Sequence, residues 1–406
     1  MQKDCIYLDN NATTKVDPEV VEAMLPYLTD YYGNPSSMHT FGGQVKKALN
    51  KAHEQVAALL GADASEIIFT SGGTEGDNAA IRAALLAQPD KRHIITTQVE
   101  HPAVLTLCKQ LEKQGYSVTY LSVNHAGQLD LNELEAALTG NTALVSIMYA
   151  NNETGVVFPI EQIGLTVKES GALFHVDAVQ AVGKIPMNMK TSTIDMLTMS
   201  GHKIHAPKGI GALYVRRGVR FRPMLIGGGQ QRGRRAGTEN VPGVVALGKA
   251  AELELLHLES ATARERKLRD RLEKTIIATI PDCQVNGDYT QRLPNTTNIG
   301  FKYIEGEAIL LHLNKHGICA SSGSACSSGS LEPSHVLRAM GLPYTILHGS
   351  IRFSLCRYTT DAEIDAVLAV MPGIIEHLRA LSPFKNDEAS WLQQRDGEKN
   401  KSLVAN

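Results

Sequence analysis

The sequence predicts an α/β fold, with a mostly parallel sheet in a large domain followed by a smaller α+β domain. Three observations carry that reading. From about residue 65 to 216, short apolar runs alternate with helix-like stretches. After Val241 the pattern changes, and a long stretch from about Val244 to Ile280 carries charges at helical spacing. The chain has 406 residues and is 43% hydrophobic, ample for a buried core and too long for one compact unit.

The expected strands run from Ile67 to Phe69, His93 to Thr97, Val118 to Val123, Ala143 to Tyr149, Ala172 to Asp177 and Asp195 to Met199. Each is short, rich in β-branched or aromatic residues, and bounded by Gly, Asn or Asp. Strands alternating with helices imply a mostly parallel sheet covered on both faces, with ligands gathering at the carboxyl ends of the strands. The second unit shows strands at Thr297 to Phe301 and Ser350 to Cys356, and amphipathic helices at Glu307 to His316 and Ala362 to Leu381. From about residue 384 the chain is polar with one aromatic, Trp391, and a mobile tail is expected.

A charged fraction of 20% and a net charge of -2 exclude an electrostatic case for nucleic acid or membrane surfaces. No apolar run approaches the roughly 20 residues of a membrane span. Met1 to Asn10 has acid and amide residues where a secretory signal has an apolar core, so a cytoplasmic protein is expected. Cys5, Cys108, Cys283, Cys319, Cys326 and Cys356 form no CxxC pair, which speaks against a disulfide framework or a zinc site.

Three motifs carry chemistry. Ser71-Gly72-Gly73-Thr74-Glu75-Gly76-Asp77-Asn78 follows a strand, and its small residues admit either a plain turn or a phosphate cradle at a helix N-terminus. In Phe174-His175-Val176-Asp177-Ala178-Val179-Gln180, an Asp at a strand end reads as a helix cap or as the partner of a protonated ring nitrogen. In Thr198-Met199-Ser200-Gly201-His202-Lys203, a Lys just past an apolar strand is a candidate Schiff-base lysine, with Ser200 and His202 beside it as phosphate donors. Together these supply the fixed parts of a pyridoxal phosphate site.

His101, at a strand-to-helix junction before Pro102, is a structural histidine or one that stacks on the ring and serves as acid or base. Asn152 lies just past the strand ending near Tyr149 and can donate to a ring substituent. Cys326 stands in a run of small residues from Cys319 to Ser330, which has nothing to pack and a high cost of ordering. Arg352, in Ser350-Ile351-Arg352-Phe353-Ser354, can grip a substrate carboxylate.

From Tyr7-Leu8-Asp9-Asn10-Asn11-Ala12-Thr13-Thr14 to about Leu381, the chain resembles the class V aminotransferase group of fold-type I pyridoxal phosphate enzymes, and within it the cysteine desulfurases. Ser200-Gly201-His202-Lys203 matches the Schiff-base motif of that family. Arg-Arg-Ala-Gly-Thr-Glu-Asn at 234–240 resembles the stretch whose threonine, here Thr238, reaches the phosphate of a neighbouring subunit. Ser-Ser-Gly-Ser-Ala-Cys at 321–326 resembles the active-cysteine loop, and Ser327-Ser328-Gly329-Ser330 with Pro333-Ser334-His335 is closer to the nitrogen-fixation type than to the housekeeping type. The family commonly has Ala-Thr-Glu-Ser-Asn-Asn where this chain has Gly73 to Asn78, and Thr74 is kept.

The resemblance implies that Gly73 and Thr74 bind the phosphate, Asp177 the pyridine nitrogen and Gln180 the ring oxygen. His101 would stack on the ring, and Asn34, Asn152 and Arg352 would hold the substrate. It also implies a large cofactor-binding domain over 16–262, a small domain of 1–15 and 263–382 carrying the cysteine loop at about 321–335, and a tail over 383–406. The implied partners are L-cysteine, a second copy of the chain in a homodimer, and an iron–sulfur scaffold protein as sulfur acceptor. No metal is implied in the isolated enzyme, with Cys326 a candidate ligand to a cluster on that scaffold. In the implied reaction Lys203 removes the substrate α-proton and Cys326 attacks the substrate sulfur, leaving a persulfide and L-alanine, with His101 managing the thiol proton. Rival readings are a housekeeping or tRNA-thiolation desulfurase, a selenocysteine lyase and a class V aminotransferase.

Overall fold

The computed structural model describes residues 5–322 and 333–382, so Cys326 and the tail expected from 383 onward lie outside the described residues. Strand β1 (Ile6–Tyr7) opens the described chain. It is followed by β2 (Ile67–Thr70), β3 (His93–Thr97), β4 (Ser117–Leu121), β5 (Thr142–Met148), β6 (Leu173–Asp177), β7 (Met196–Ser200) and β8 (Gly211–Val215). Strands β2 to β8 form one seven-stranded sheet in the order β2-β8-β7-β6-β5-β3-β4. From β4 to β7 every pairing is parallel, as the alternating pattern predicts.

Strand β8 is absent from the expected set, and it runs antiparallel to both β7 and β2. The physical reason is length. Residues 201–210 join β7 to β8, and a parallel crossover needs about a dozen residues or more. Every residue of β2, β3, β5, β7 and β8 is buried, as a sheet covered on both faces requires. Side-chain alternation then splits the core. Ile68, Ile94, Leu144 and Met196 pack with the helices Gly73–Ala87 and Pro102–Glu112 on one face. Phe69, Ile95, Val145 and Leu197 face the helices Thr40–Leu60 and Ile160–Ser170 on the other.

The helix Val241–Thr279 is 39 residues long and threads two cores. Val244, Leu247 and Ala251 pack in the core of the large sheet, and Leu268, Leu272 and Ile276 pack in a second core. That second core covers β9 (Cys283–Val285), β10 (Thr296–Phe301), β11 (Ile318–Cys319) and β12 (Ser350–Ser354) with the helices Gly306–Lys315 and Asp361–Leu381. Strands β12, β10 and β9 form an antiparallel sheet, while β11 pairs with β1 in parallel. The N-terminal residues thus join the C-terminal unit before the chain turns toward the large sheet.

Candidate active site

A cavity of about 280 Å³ opens at the carboxyl ends of the parallel strands, where ligands gather in α/β sheets. Of the residues the sequence singles out, Gly73, Thr74, His101, Asn152, Asp177, Gln180, Ser200, His202, Lys203 and Arg352 all line it. Asn34 and Thr238 do not. The Asn34 side chain accepts from the Ser36 N–H at 2.9 Å, and Thr238 is exposed.

One end of the cavity suits an anion. The helix Gly73–Ala87 starts there, and Gly72 provides no side-chain cap, so the first-turn N–H groups are available to a ligand. Space is tight: a Cβ on Gly73 would lie 3.0 Å from Val179 Cγ2, and one on Gly76 would lie 2.6 Å from Thr198 Cγ2. Gly76 lets this helix close onto β7, and the neighbouring Asp77 is buried.

Another part of the wall suits a cation. Asp177 ends β6 and accepts the Val179 N–H at 3.0 Å, so it caps a turn as well as facing the cavity. Burial pushes its pKa up to about 6, against the opposing effects of that N–H and of Lys203. Two further buried carboxyls stand near it, and the sequence assigned neither a role. Glu100 accepts from the Thr97 hydroxyl at 2.8 Å and the Met148 N–H at 2.9 Å, while its second oxygen has no partner. Asp77 Oδ1 also lacks a hydrogen bond, with His175 Nε2 at 3.6 Å. Burial raises Asp77 well above the carboxylate range, with the charge of Asp177 adding to it, and pushes Glu100 up to about 8. Burial also holds His175 neutral, down to about 3, so it supplies no counter-charge. An anion-binding helix start and the Asp177 carboxyl group in one cavity fit a phosphate and a protonated pyridine nitrogen on one ligand. The donor set therefore fits pyridoxal phosphate.

The raised carboxyl pKa values make a stability prediction. The folded protein holds protons on Asp77 and Glu100 that the unfolded chain releases near pH 4, so their contribution is complete below that pH and declines as pH rises, for Glu100 until about pH 8. The melting temperature of cofactor-free protein is expected to fall between about pH 6 and 8, and Glu100→Gln should lessen the fall. A fall of equal size in the Glu100→Gln protein would contradict this source.

Lys203 sits in the single turn Gly201–Lys203 after β7. Its amine donates to the backbone carbonyls of Asn11 at 2.5 Å and Ala12 at 2.8 Å. The N-terminal strap is tied to the same turn, because Thr14 N–H donates to His202 O at 2.9 Å and Asp17 N–H to His205 O at 3.0 Å. His205 adopts a left-handed backbone (φ 61°), a strain held by the Thr14 and Lys15 contacts to its N–H and ring.

His101 caps the helix Pro102–Glu112, its Nδ1 accepting the Ala103 N–H at 3.1 Å. A backbone N–H can only donate, so the ring proton of neutral His101 sits on Nε2. Burial, with the charges of Lys203 and His335, pushes its pKa down to about 4. In this state His101 presents a donor, and acting as a base requires it to give up the cap. Arg352 is buried on β12 and its fork is partly taken: Nη2 donates to Asp9 at 2.7 Å and Nη1 to the Asn152 carbonyl at 2.9 Å. Asp9 is a partner that the sequence did not announce. On the C-terminal side of the cysteine segment, Ser334 donates to Glu153 at 2.5 Å and the His335 ring meets the Glu100 carbonyl at 2.9 Å.

The model of the aminotransferase class-V family matches residues 6–367. A cysteine desulfurase of Trichormus azollae is 84% identical over 391 residues, covering 96% of this chain and 98% of that protein. Cysteine desulfurase NifS of Azotobacter vinelandii is 58% identical over 380 residues, covering 93% and 94%. Among solved structures, a NifS-like protein superposes with a TM-score of 0.87 at 40% identity, covering 92% of this chain and 100% of that one. Among the described residues, no helix is long and apolar enough to cross a membrane.

Proposed function

The chain belongs to the class-V aminotransferase family and is a cysteine desulfurase that uses pyridoxal phosphate, and from that premise we propose that it carries the sulfur of L-cysteine as a persulfide on Cys326 and passes it to an iron–sulfur scaffold protein. The observation that carries the residue assignments is the convergence of Lys203, Asp177 and Arg352 on one cavity. When bound, the cofactor supplies an electron sink for the substrate α-carbon. Thr74, Ser200, His202 and the first-turn amides would hold its phosphate, Asp177 the proton on its ring nitrogen, and Gln180 its ring oxygen. His101 would lie against the ring, while Asn152 and Arg352 would orient the substrate. Lys203 removes the α-proton. The Cys326 thiolate then attacks the substrate sulfur; the carbon–sulfur bond breaks, its electron pair stays with carbon, and protonation there, with return of the α-proton by Lys203, yields alanine.

The carboxylate clamp has a direct test. Arg352→Ala is expected to lower kcat/KM for cysteine by about 30-fold or more, chiefly through KM, as loss of a charge-assisted pair implies. An unchanged KM would remove Arg352 from substrate binding.

Nitrogenase supply is the proposed destination, supported by the identity to NifS of Azotobacter vinelandii and by Ser327 to Ser330 and Pro333 to His335. A homodimer is supported by the exposed apolar side chains Tyr32, Met38 and Ile226. It would also account for Thr238, which is exposed in one chain and would reach the phosphate of the other. The division into 16–262, and 1–15 with 263–382, is supported by the long helix that crosses between two cores.

A further inference from the structure

Residues 178–184 leave β6 as a turn that places Gln180 on the cavity wall and Lys184 behind it. The Gln180 amide has two protein partners. Its Nε2 donates to the Asn11 carbonyl at 2.9 Å, and its Oε1 accepts from Lys184 Nζ at 3.2 Å. Lys184 Nζ also donates to the Gln180 backbone carbonyl at 3.1 Å, which fixes the ammonium beside this one residue.

An amide side chain can turn either end toward a ligand, and only its partners decide which. Here both partners agree. An ammonium has hydrogens and no acceptor, so it must meet the oxygen; a carbonyl accepts only, so it must meet the nitrogen. Nε2 carries two hydrogens and one is used by Asn11, leaving the second for the cavity that Gln180 lines. Turning the amide over would set Nε2 against the ammonium and Oε1 against the Asn11 carbonyl.

Lys184 also sits among charged groups. Glu254 and Glu265 of the long helix border the same void of about 20 Å³ as Lys184, together with Arg357, Cys356 and His205, room for about one water. Burial holds the ammonium down to about 8, while Glu265 and Glu254 favour its charge and Arg352 opposes it. Glu254 is shared with Arg357 at 2.5 Å. A half-buried cation that does not line the cavity with Asp177 has no role in the reaction derived above.

We infer that Lys184 is a positioning residue: by holding Oε1 of Gln180, it makes the cavity-facing group of Gln180 a hydrogen-bond donor to the oxygen of the cofactor ring. This rests on the reading in which Gln180 faces that oxygen. A donor there favours the negative oxygen, so losing it should raise the pH midpoint at which the bound cofactor changes its absorption.

The test is an absorption titration of the holoenzyme. Lys184→Met is expected to raise the midpoint by about one unit, the size of one charge-assisted hydrogen bond, and Lys184→Arg should restore it. Gln180→Leu should raise it comparably, and adding Lys184→Met to Gln180→Leu should raise it no further. If Gln180→Leu moves the midpoint and Lys184→Met does not, Lys184 loses its role while the Gln180 assignment stands. If neither moves it, both assignments fall. An additive shift in the double variant also overturns the inference, because Lys184 would then act by another route. Should Lys184→Met fail to fold, Lys184→Ala removes the same donor and is expected to shift the midpoint in the same direction; no shift there would overturn the inference.

Discussion

Lys203→Ala is expected to lower alanine formation from cysteine by at least about 10³-fold, the scale of losing a positioned base. The expectation follows from geometry rather than from the motif alone. Lys203 is the lysine on the cavity wall, and its amine is held at the cavity by the Asn11 and Ala12 carbonyls. A guanidinium cannot give up its proton at neutral pH, so Lys203→Arg should not rescue the rate. Steady-state alanine formation checks the effect, together with retention of cofactor absorbance after denaturation and gel filtration. An alanine variant that keeps a covalently held chromophore, or more than about a tenth of the rate, would contradict a base role of the size argued here.

Cys326→Ala is expected to separate the two halves of the reaction. Sulfur release should fall by at least about 10²-fold, because a thiolate is the group nucleophilic enough to take the sulfur and water is a poor substitute. Proton removal by Lys203 does not need the thiol, so exchange of the substrate α-hydrogen with deuterated water should continue. Measuring both in one incubation makes the outcome specific. Loss of exchange along with sulfur release would place Cys326 in substrate binding, and normal sulfur release would remove it from the reaction and favour an aminotransferase.

The sheet was legible because its strands are short apolar runs with turn residues between them, and the cavity residues fall at the ends of those runs, where Asp177 and Ser200 close β6 and β7. Gly211–Val215 escaped because its run follows directly on the lysine motif, with no helix between to mark a new strand. Asp77 and Glu100 were less legible for another reason. In sequence each is an ordinary acid beside a helix start, and only the packing of the helix Gly73–Ala87 on β7 and of the loop after β3 makes them a buried cluster. Asp9, Asn11 and Ala12 act on residues some two to three hundred positions away, a pairing that no local spacing encodes. Lys184 stands four residues after Gln180, yet its meaning depends on Asn11 across the cavity. Cys326 was found by the reverse signal, a stretch with nothing to pack.

The most direct test of the central claim is mass spectrometry of the holoenzyme after incubation with cysteine, followed by peptide mapping without reductant. The account predicts about one added sulfur atom per chain, carried on the peptide containing Cys326 and absent from the Lys203→Ala protein. Added sulfur mapping to Cys5, Cys319 or Cys356 instead, or none on any cysteine while alanine is formed, would contradict it.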